Sequence, residues 1–438
     1  LAGLDGQVST VEVTLHGSLA FTGKGHGTDS AVILGLAGSQ PETVDPATVE
    51  QRLRRIHDER RLELPGVGTT IFTVMSKMAN DCGAINLSQG YPDFDGPPEL
   101  RERVTWHMAH GHNQYAPLAG VPALLEQIAG KVRDLYGREV DPSAEVAVTP
   151  GATEAIYCAV TASVGRGDEV ILFDPAYDTY EPNVQLNGGV ARRIPLRYPE
   201  FRVDWQRVRD TVNGRTRLIM LNFPHNPTGA VWTSEDIDQL REIVAGTDIL
   251  LVSDEVYEHI TFDGRPHLSL SRYPDLASRA FCISSFGKTY HATGWRIGYC
   301  VAPAALMREF LAIHQFINFA TNAPMQYAIA DFLRDCPGHH SELGAFYQRK
   351  RDLFCSLLAE SRFRLRPSAG TFFQLADYSA ISGQDDTEFA ATLTREHKVA
   401  AIPISVFYEQ PPAQKVVRFC FAKNDETLAE AADRLSLV

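Results

Sequence analysis

From about Thr69 onward, short apolar runs alternate with stretches of helical periodicity. The runs 145–149, 169–173, 217–221, 248–253, 280–284 and 297–302 are apolar almost throughout, without polar residues at every second position. Such runs predict strands buried on both faces, hence a mostly parallel sheet covered by helices. A helix is predicted from about Thr70 and another over 154–164. The stretch 85–94 reads as a strand ending in a Gly/Pro turn. Beyond Asn322 helices dominate until two further strands, 372–375 and 416–421, which suggests a smaller α+β domain. Before Thr69 the pattern differs. Residues 8–15 alternate like a half-buried strand, 17–29 are glycine-rich, 30–36 are helical in pattern, and 47–63 form a charged, helical linker face that breaks at Pro65-Gly66. The expected organisation is a segment over 1–60, an arm and small-domain part over 61–92, a large domain over 93–322 and a small domain over 323–438.

Composition narrows the class. The 438 residues carry 41 basic and 54 acidic side chains, a formal charge of -13, which argues against a nucleic-acid surface. Seven cysteines are scattered, odd in number and never in a CxxC pair, so reduced thiols, no metal site and a cytoplasmic location are expected. No stretch is long and apolar enough to predict a membrane span.

In a parallel sheet the chemistry gathers beyond the carboxyl ends of the strands. After 145–149 come Gly151-Ala152-Thr153, small residues opening a helix, where backbone N–H groups suit a phosphate or simply an N-cap turn. After 169–173 comes Tyr177, an aromatic that can stack on a flat ring or fill the core. After 217–221 comes Asn222-Phe223-Pro224-His225-Asn226-Pro227-Thr228-Gly229, a tight turn that invites a cis proline and fixes Asn226 as a donor. After 248–253 come Asp254 and Tyr257. A carboxylate ending a buried run needs a partner, either a helix cap or a protonated ring nitrogen. After 280–284 come Ser285 and Lys288, then Arg296 in Gly-Trp-Arg-Ile-Gly. A lysine delivered at a strand end suits an amine that forms a Schiff base, and the serine and arginine suit a phosphate. Arg418 sits inside the apolar run 416–421, where a buried guanidinium needs an anion, from the protein or from a substrate carboxylate.

Asn-Pro-Thr-Gly, Asp-Glu-Val-Tyr, Ser-Ser-Phe-Gly-Lys-Thr and Gly-Trp-Arg-Ile-Gly, in that order, resemble the fold-type I aminotransferases of classes I and II, from about residue 62 to the C-terminus. Thr70–Ser76 and Asn113-Gln114-Tyr115 are similar to the branch of methionine and kynurenine aminotransferases. The resemblance implies an aspartate aminotransferase-like α/β fold, pyridoxal 5'-phosphate as cofactor, and a homodimer with shared active sites. It implies that Lys288 anchors the cofactor and shuttles the proton, and that Asp254 pairs with the ring nitrogen. Asn226 and Tyr257 bond the ring hydroxyl oxygen, and Tyr177 stacks on the ring. Ala152, Thr153, Ser285 and Arg296 hold the phosphate, with Tyr115 reaching in from the second subunit. Arg418 clamps the substrate carboxylate, aided by Asn226 and the Gly90 backbone. The implied reaction is ping-pong transamination from an L-amino acid to a 2-oxo acid.

Phe72, Tyr91, Tyr115 and Phe319 are candidate substrate-pocket residues. With no second arginine in evidence for a distal carboxylate, methionine and aromatic donors are favoured over aspartate. A cysteine-S-conjugate β-lyase using the same site and a non-enzymatic regulator are the alternatives. The run from Gly17-Ser18-Leu19-Ala20 through Thr22-Gly23-Lys24-Gly25-His26-Gly27-Thr28-Asp29 to Gln40-Pro41-Glu42-Thr43-Val44-Asp45-Pro46 resembles part of the iron–sulfur type of bacterial L-serine dehydratase. The cysteine-bearing catalytic half of that family is absent, so residues 8–46 are expected to be catalytically inert, His26 included; L-serine dehydratase activity is the remaining alternative.

Overall fold

A computed structural model describes residues 48–51, 53–54 and 70–438. Residues 48–51 and 53–54 are helical, with Glu50 and Arg54 paired at 3.0 Å one turn apart. The strand, glycine-rich loop and short helix expected over 8–36 lie outside the described residues.

The strands of the unit Ile71–Val438, in chain order, are β1 (Ile85–Asn86), β2 (Val146–Thr149), β3 (Glu169–Asp174), β4 (Val190–Pro195), β5 (Thr216–Asn222), β6 (Leu250–Asp254), β7 (Ala280–Ser285), β8 (Gly298–Val301), β9 (Arg364–Leu365), β10 (Phe373–Asp377), β11 (Val399–Ala400), β12 (Ile402–Pro403) and β13 (Val416–Cys420). Seven of them form one sheet in the order β2-β8-β7-β6-β5-β3-β4. β8 runs antiparallel to both neighbours, and the other pairings are parallel.

The unbroken apolar runs have a direct cause. Successive residues of a strand face opposite sides. In β3, Val170 and Leu172 join the core formed with the helices Ala152–Ser163 and Ala304–Ile317. Ile171 and Phe173 join the opposite core with the helices Trp205–Thr211 and Ser234–Val244. Leu218/Met220 and Ile219/Leu221 of β5 divide the same way. Each such side chain contributes about 1.5–3 kcal/mol on full burial, so both faces select apolar residues.

β4 has no counterpart among the strands expected from the sequence. It is an edge strand, at the opposite end of the sheet from β2, and its Arg192 and Arg193 bond Glu169 and Asp174 of β3, each at 2.7 Å. Charged side chains blunt an exposed edge and also erase the apolar signature.

A second, antiparallel sheet has the order β12-β13-β10-β9. The helix Ile71–Cys82 packs into its core through Met75, and β1 pairs in parallel with β11. The strand expected over 85–94 is thus only two residues long. Past Asn86 the Leu87 carbonyl still accepts the Cys420 amide at 2.8 Å, and three of the next four carbonyls go to side-chain cations in place of a strand partner. Ser88 accepts from Arg418, Gly90 from Lys288 and Tyr91 from Lys423, each at 2.8 Å.

Candidate active site

The ends of β5, β6 and β7 lie side by side. Asn222 closes β5 and Asp254 closes β6, and the two are register partners. Asn222 Nδ2 donates to the Asp254 carbonyl at 3.0 Å, and its Oδ1 accepts the Asn226 amide at 2.9 Å. One asparagine therefore fixes both the carboxylate turn and the Asn-Pro-Thr-Gly turn. Phe223-Pro224 and Asn226-Pro227 are both cis, as the paired Asn and Pro of this stretch invite.

Asp254 is buried, and its Oδ2 accepts the Tyr180 hydroxyl at 2.7 Å. Burial pushes its pKa up to about 6, against the Tyr180 bond, the Val256 amide and the nearby Lys288 charge. No basic side chain pairs with it among the described residues. Tyr177, half-buried, lies 6.4 Å from the Phe72 ring and meets Tyr180 edge-on at 5.6 Å. Tyr257 is buried edge-on against Phe372 and Phe373.

Ser285 ends β7 and caps the four-residue helix Phe286–Thr289, accepting the Gly287 amide at 3.2 Å. That cap aims Lys288, whose Nζ donates to the Gly90 carbonyl and lies 5.2 Å from the Phe372 ring centroid. Burial pulls the Lys288 pKa down to about 8; Arg296 and Arg418 push the same way, and Asp254 opposes them. A Cβ at Gly90 would come 2.8 Å from the Phe373 ring, so only glycine brings this backbone so close.

The helix Ala152–Ser163 begins at Gly151, which has φ 84°. Here glycine is needed twice over: the conformation is left-handed, and a Cβ would stand 2.5 Å from the Arg296 guanidinium. Arg296, itself left-handed at φ 55°, thus lies across the start of the helix beside Ala152 and Thr153. Its one bond is to the Thr293 carbonyl at 3.2 Å, and no acid pairs with it among the described residues. A cation set against a helix N-terminus suits a phosphate.

Arg418 is central in β13 and 0% exposed. One guanidinium nitrogen donates to Asn226 Oδ1 and another to the Ser88 carbonyl, both at 2.8 Å. Its Nε is buried without a partner among the described residues, and the group lies 3.9 Å over the Phe373 ring. Burial lowers its pKa to about 10. Both acceptors are neutral, and among the described residues no carboxylate forms an ion pair with this buried cation; Asp178 acts on it only through space. Phe72 stands 5.3 Å from this guanidinium and forms an apolar wall with Phe407.

The structure therefore brings Lys288, Asp254, Tyr257, Tyr177, Asn226, Ser285, Arg418, Gly90 and Phe72 into one region, with Gly151–Thr153 and Arg296 at its edge. Tyr115 stands apart, 82% exposed, against Phe319. Sequence reasoning passed over Tyr180, Asn222 and Ser88. Tyr180 had a weak signal, three residues past Tyr177 at the start of a short helix. Ser88 had none, because only its backbone oxygen is used.

Fold and site together define a transaminase. The pattern described as aminotransferase class I and II matches residues 83–435, and the chain belongs to that family. It is similar to the methionine aminotransferase of Escherichia coli K12, 52% identical over 373 residues, 85% of this chain and 97% of that protein. A crystal structure of an Escherichia coli protein with methionine aminotransferase function superposes with a TM-score of 0.84, covering 86% of this chain and 98% of the other. A probable N-succinyldiaminopimelate aminotransferase of Mycobacterium tuberculosis H37Rv is 39% identical, over 84% of this chain and 96% of that one. Human kynurenine–oxoglutarate transaminase 3 is 31% identical, over 85% and 88%. The chain is an aminotransferase. Residues 2–85 also match the pattern of the serine dehydratase beta chain, a longer stretch than 8–46. That match runs into the helix Ile71–Cys82, whose Met75 belongs to the core described above.

Proposed function

We propose that the chain is a pyridoxal 5'-phosphate-dependent aminotransferase acting on methionine and aromatic L-amino acids, with a 2-oxo acid as acceptor. The observation that carries the reading is the buried guanidinium of Arg418, bonded only to neutral oxygens among the described residues and near a lysine whose pKa is lowered. The donor set fits the cofactor. Gly151–Thr153, Ser285 and Arg296 would hold its phosphate, Tyr177 would cover its ring, and Asn226 and Tyr257 would reach its hydroxyl oxygen. Asp254 would meet its ring nitrogen, and Lys288 would carry it covalently. When bound, that group supplies an electron sink for the α-carbon.

The remaining work falls to this chain's side chains. Arg418 would bind the substrate carboxylate, while Asn226 and Ser88 hold two of its guanidinium nitrogens in place. Lys288 Nζ would take the substrate's α proton and carry it as an ammonium until it is handed back. Its pKa, lowered to about 8 by burial, makes the neutral amine far more available near neutral pH than in an ordinary lysine. Asp254, buried at the end of β6, would meet the ring nitrogen as a carboxylate and would hold a proton there.

Phe72, Tyr177 and Phe407 offer an apolar wall beside Arg418, which favours thioether and aromatic side chains over a second carboxylate. The methionine and kynurenine relatives carry names that agree with that preference, and the N-succinyldiaminopimelate relative does not. We also infer a homodimer, since Tyr115, Phe316 and Phe319 are 82%, 86% and 57% exposed and form an apolar surface from which Tyr115 could serve a second copy. A cytoplasmic location agrees with the free cysteines. Among the described residues no helix is long and apolar enough to cross a membrane.

The test is a spectroscopic half-reaction panel. Methionine and aromatic amino acids should convert the cofactor to its amino form fastest. Faster conversion by aspartate would refute the pocket assignment, and release of ammonia without a 2-oxo acid would indicate elimination instead.

A further inference from the structure

Behind the first turn of the helix Ala152–Ser163 lies a buried polar group that none of the roles above uses. Glu154 is the third residue of that helix. His314, fully buried on the helix Ala304–Ile317, places Nδ1 2.6 Å from Glu154 Oε1. Its Nε2 lies 3.2 Å from the Leu118 carbonyl. A carbonyl only accepts, so Nε2 carries a hydrogen. Two lone pairs do not approach to 2.6 Å, so a proton also lies between Nδ1 and Oε1. Whichever atom owns that proton, imidazolium with carboxylate or imidazole with carboxylic acid, the pair has no net charge. Cys158, one turn further along, sets its thiol 3.6 Å from the same oxygen, and burial pushes its pKa far up, so it too is neutral. Donor atoms of the three residues lie within 4.8 Å of one another. Their protons are already placed in mutual hydrogen bonds, which makes the group a neutral polar knot.

The position of this knot matters. A helix N-terminus favours negative charge within its first turn. A bare Glu154 carboxylate would occupy that field and repel any dianion at Gly151–Thr153, with little water between to screen the two. Glu154 Oε2 is buried without a partner among the described residues, an orphan that would be costly on a fully charged group.

We propose that His314 is a positioning residue that neutralises Glu154, leaving the positive end of this helix to the cofactor's phosphate. The inference rests on the phosphate placement given under the proposed function. The test compares two probes returned to enzyme freed of its cofactor: pyridoxal 5'-phosphate and pyridoxal, which lacks the phosphate. Dissociation constants are measured for wild type, His314→Gln, Glu154→Gln and the double variant.

Expected is a loss of about tenfold in pyridoxal phosphate affinity for His314→Gln, with pyridoxal affinity kept within about twofold. Adding Glu154→Gln should restore pyridoxal phosphate affinity to within about threefold of wild type, because the pair is neutral again. An equal loss for both probes, or no recovery in the double variant, would overturn the proposal and leave His314 a packing residue. Should His314→Gln fail to fold, Glu154→Gln alone decides. An affinity for pyridoxal phosphate within about threefold of wild type supports a pair that is already neutral, whereas tightening of about tenfold would mean that the pair carries net negative charge and would overturn the proposal. A wild type that binds both probes equally would instead refute the phosphate placement itself.

Discussion

Replacing Asp254 by Asn should stabilise the cofactor-free protein at neutral pH while destroying its activity. Asp254 is buried at the end of β6, and its pKa rises from 3.8 to about 6. At 1.36 kcal/mol for each pKa unit, an ionised Asp254 costs the fold about 3 kcal/mol. The sign follows from proton binding. Between pH 4 and 6 the native state holds a proton on this group that the unfolded chain releases. Its contribution is therefore fully present below the unfolded value and lost as pH rises through about 6. Asparagine never ionises; its Oδ1 can keep the Val256 amide while its Nδ2 donates to the Tyr180 oxygen, whose hydroxyl now bonds Oδ2 at 2.7 Å. Urea unfolding of the two proteins without cofactor should give a difference near zero at pH 4. That difference should grow to about 3 kcal/mol in favour of Asp254→Asn by pH 8. A difference independent of pH, or a less stable variant at pH 8, would refute the burial argument. With cofactor bound the order should reverse, since a carboxylate paired to a protonated ring nitrogen repays its burial.

Arg418→Lys should lower kcat/KM for methionine about a hundredfold, or about 2.7 kcal/mol, mostly through KM, because an ammonium cannot hold Asn226, Ser88 and a carboxylate in one plane; an effect confined to kcat would contradict the clamp. Lys131→Met should cost about 3–5 kcal/mol in chemical denaturation. It would strand Glu258, which is buried against Lys131 at 2.6 Å and also receives Tyr299, Ser284 and Tyr136. The double change Lys131→Met with Glu258→Gln should recover part of that loss, and no recovery would contradict the reading of a stranded charge.

The sheet was legible from the chain because its reason is local. β3, β5, β6 and β7 are buried on both faces, so every position selects for apolar side chains, and the polar residues that end each run mark where the sheet opens. The motifs around Asn226, Asp254, Lys288 and Arg296 could be read for the same reason, since each is a short stretch following a strand. Tertiary structure alone decided what depends on pairs distant in the chain. β4 carries arginines because it is an edge. Past Leu87, cations from 288, 418 and 423 take three of the next four carbonyls in place of a strand partner. Arg418 meets Asn226 and Ser88 across 192 and 330 residues of chain, and His314 meets Glu154 across 160. Periodicity reports which face of an element is buried. Which charge or carbonyl waits on that face is set only when the chain closes, because a buried polar group is satisfied by whatever the fold brings within about 3 Å.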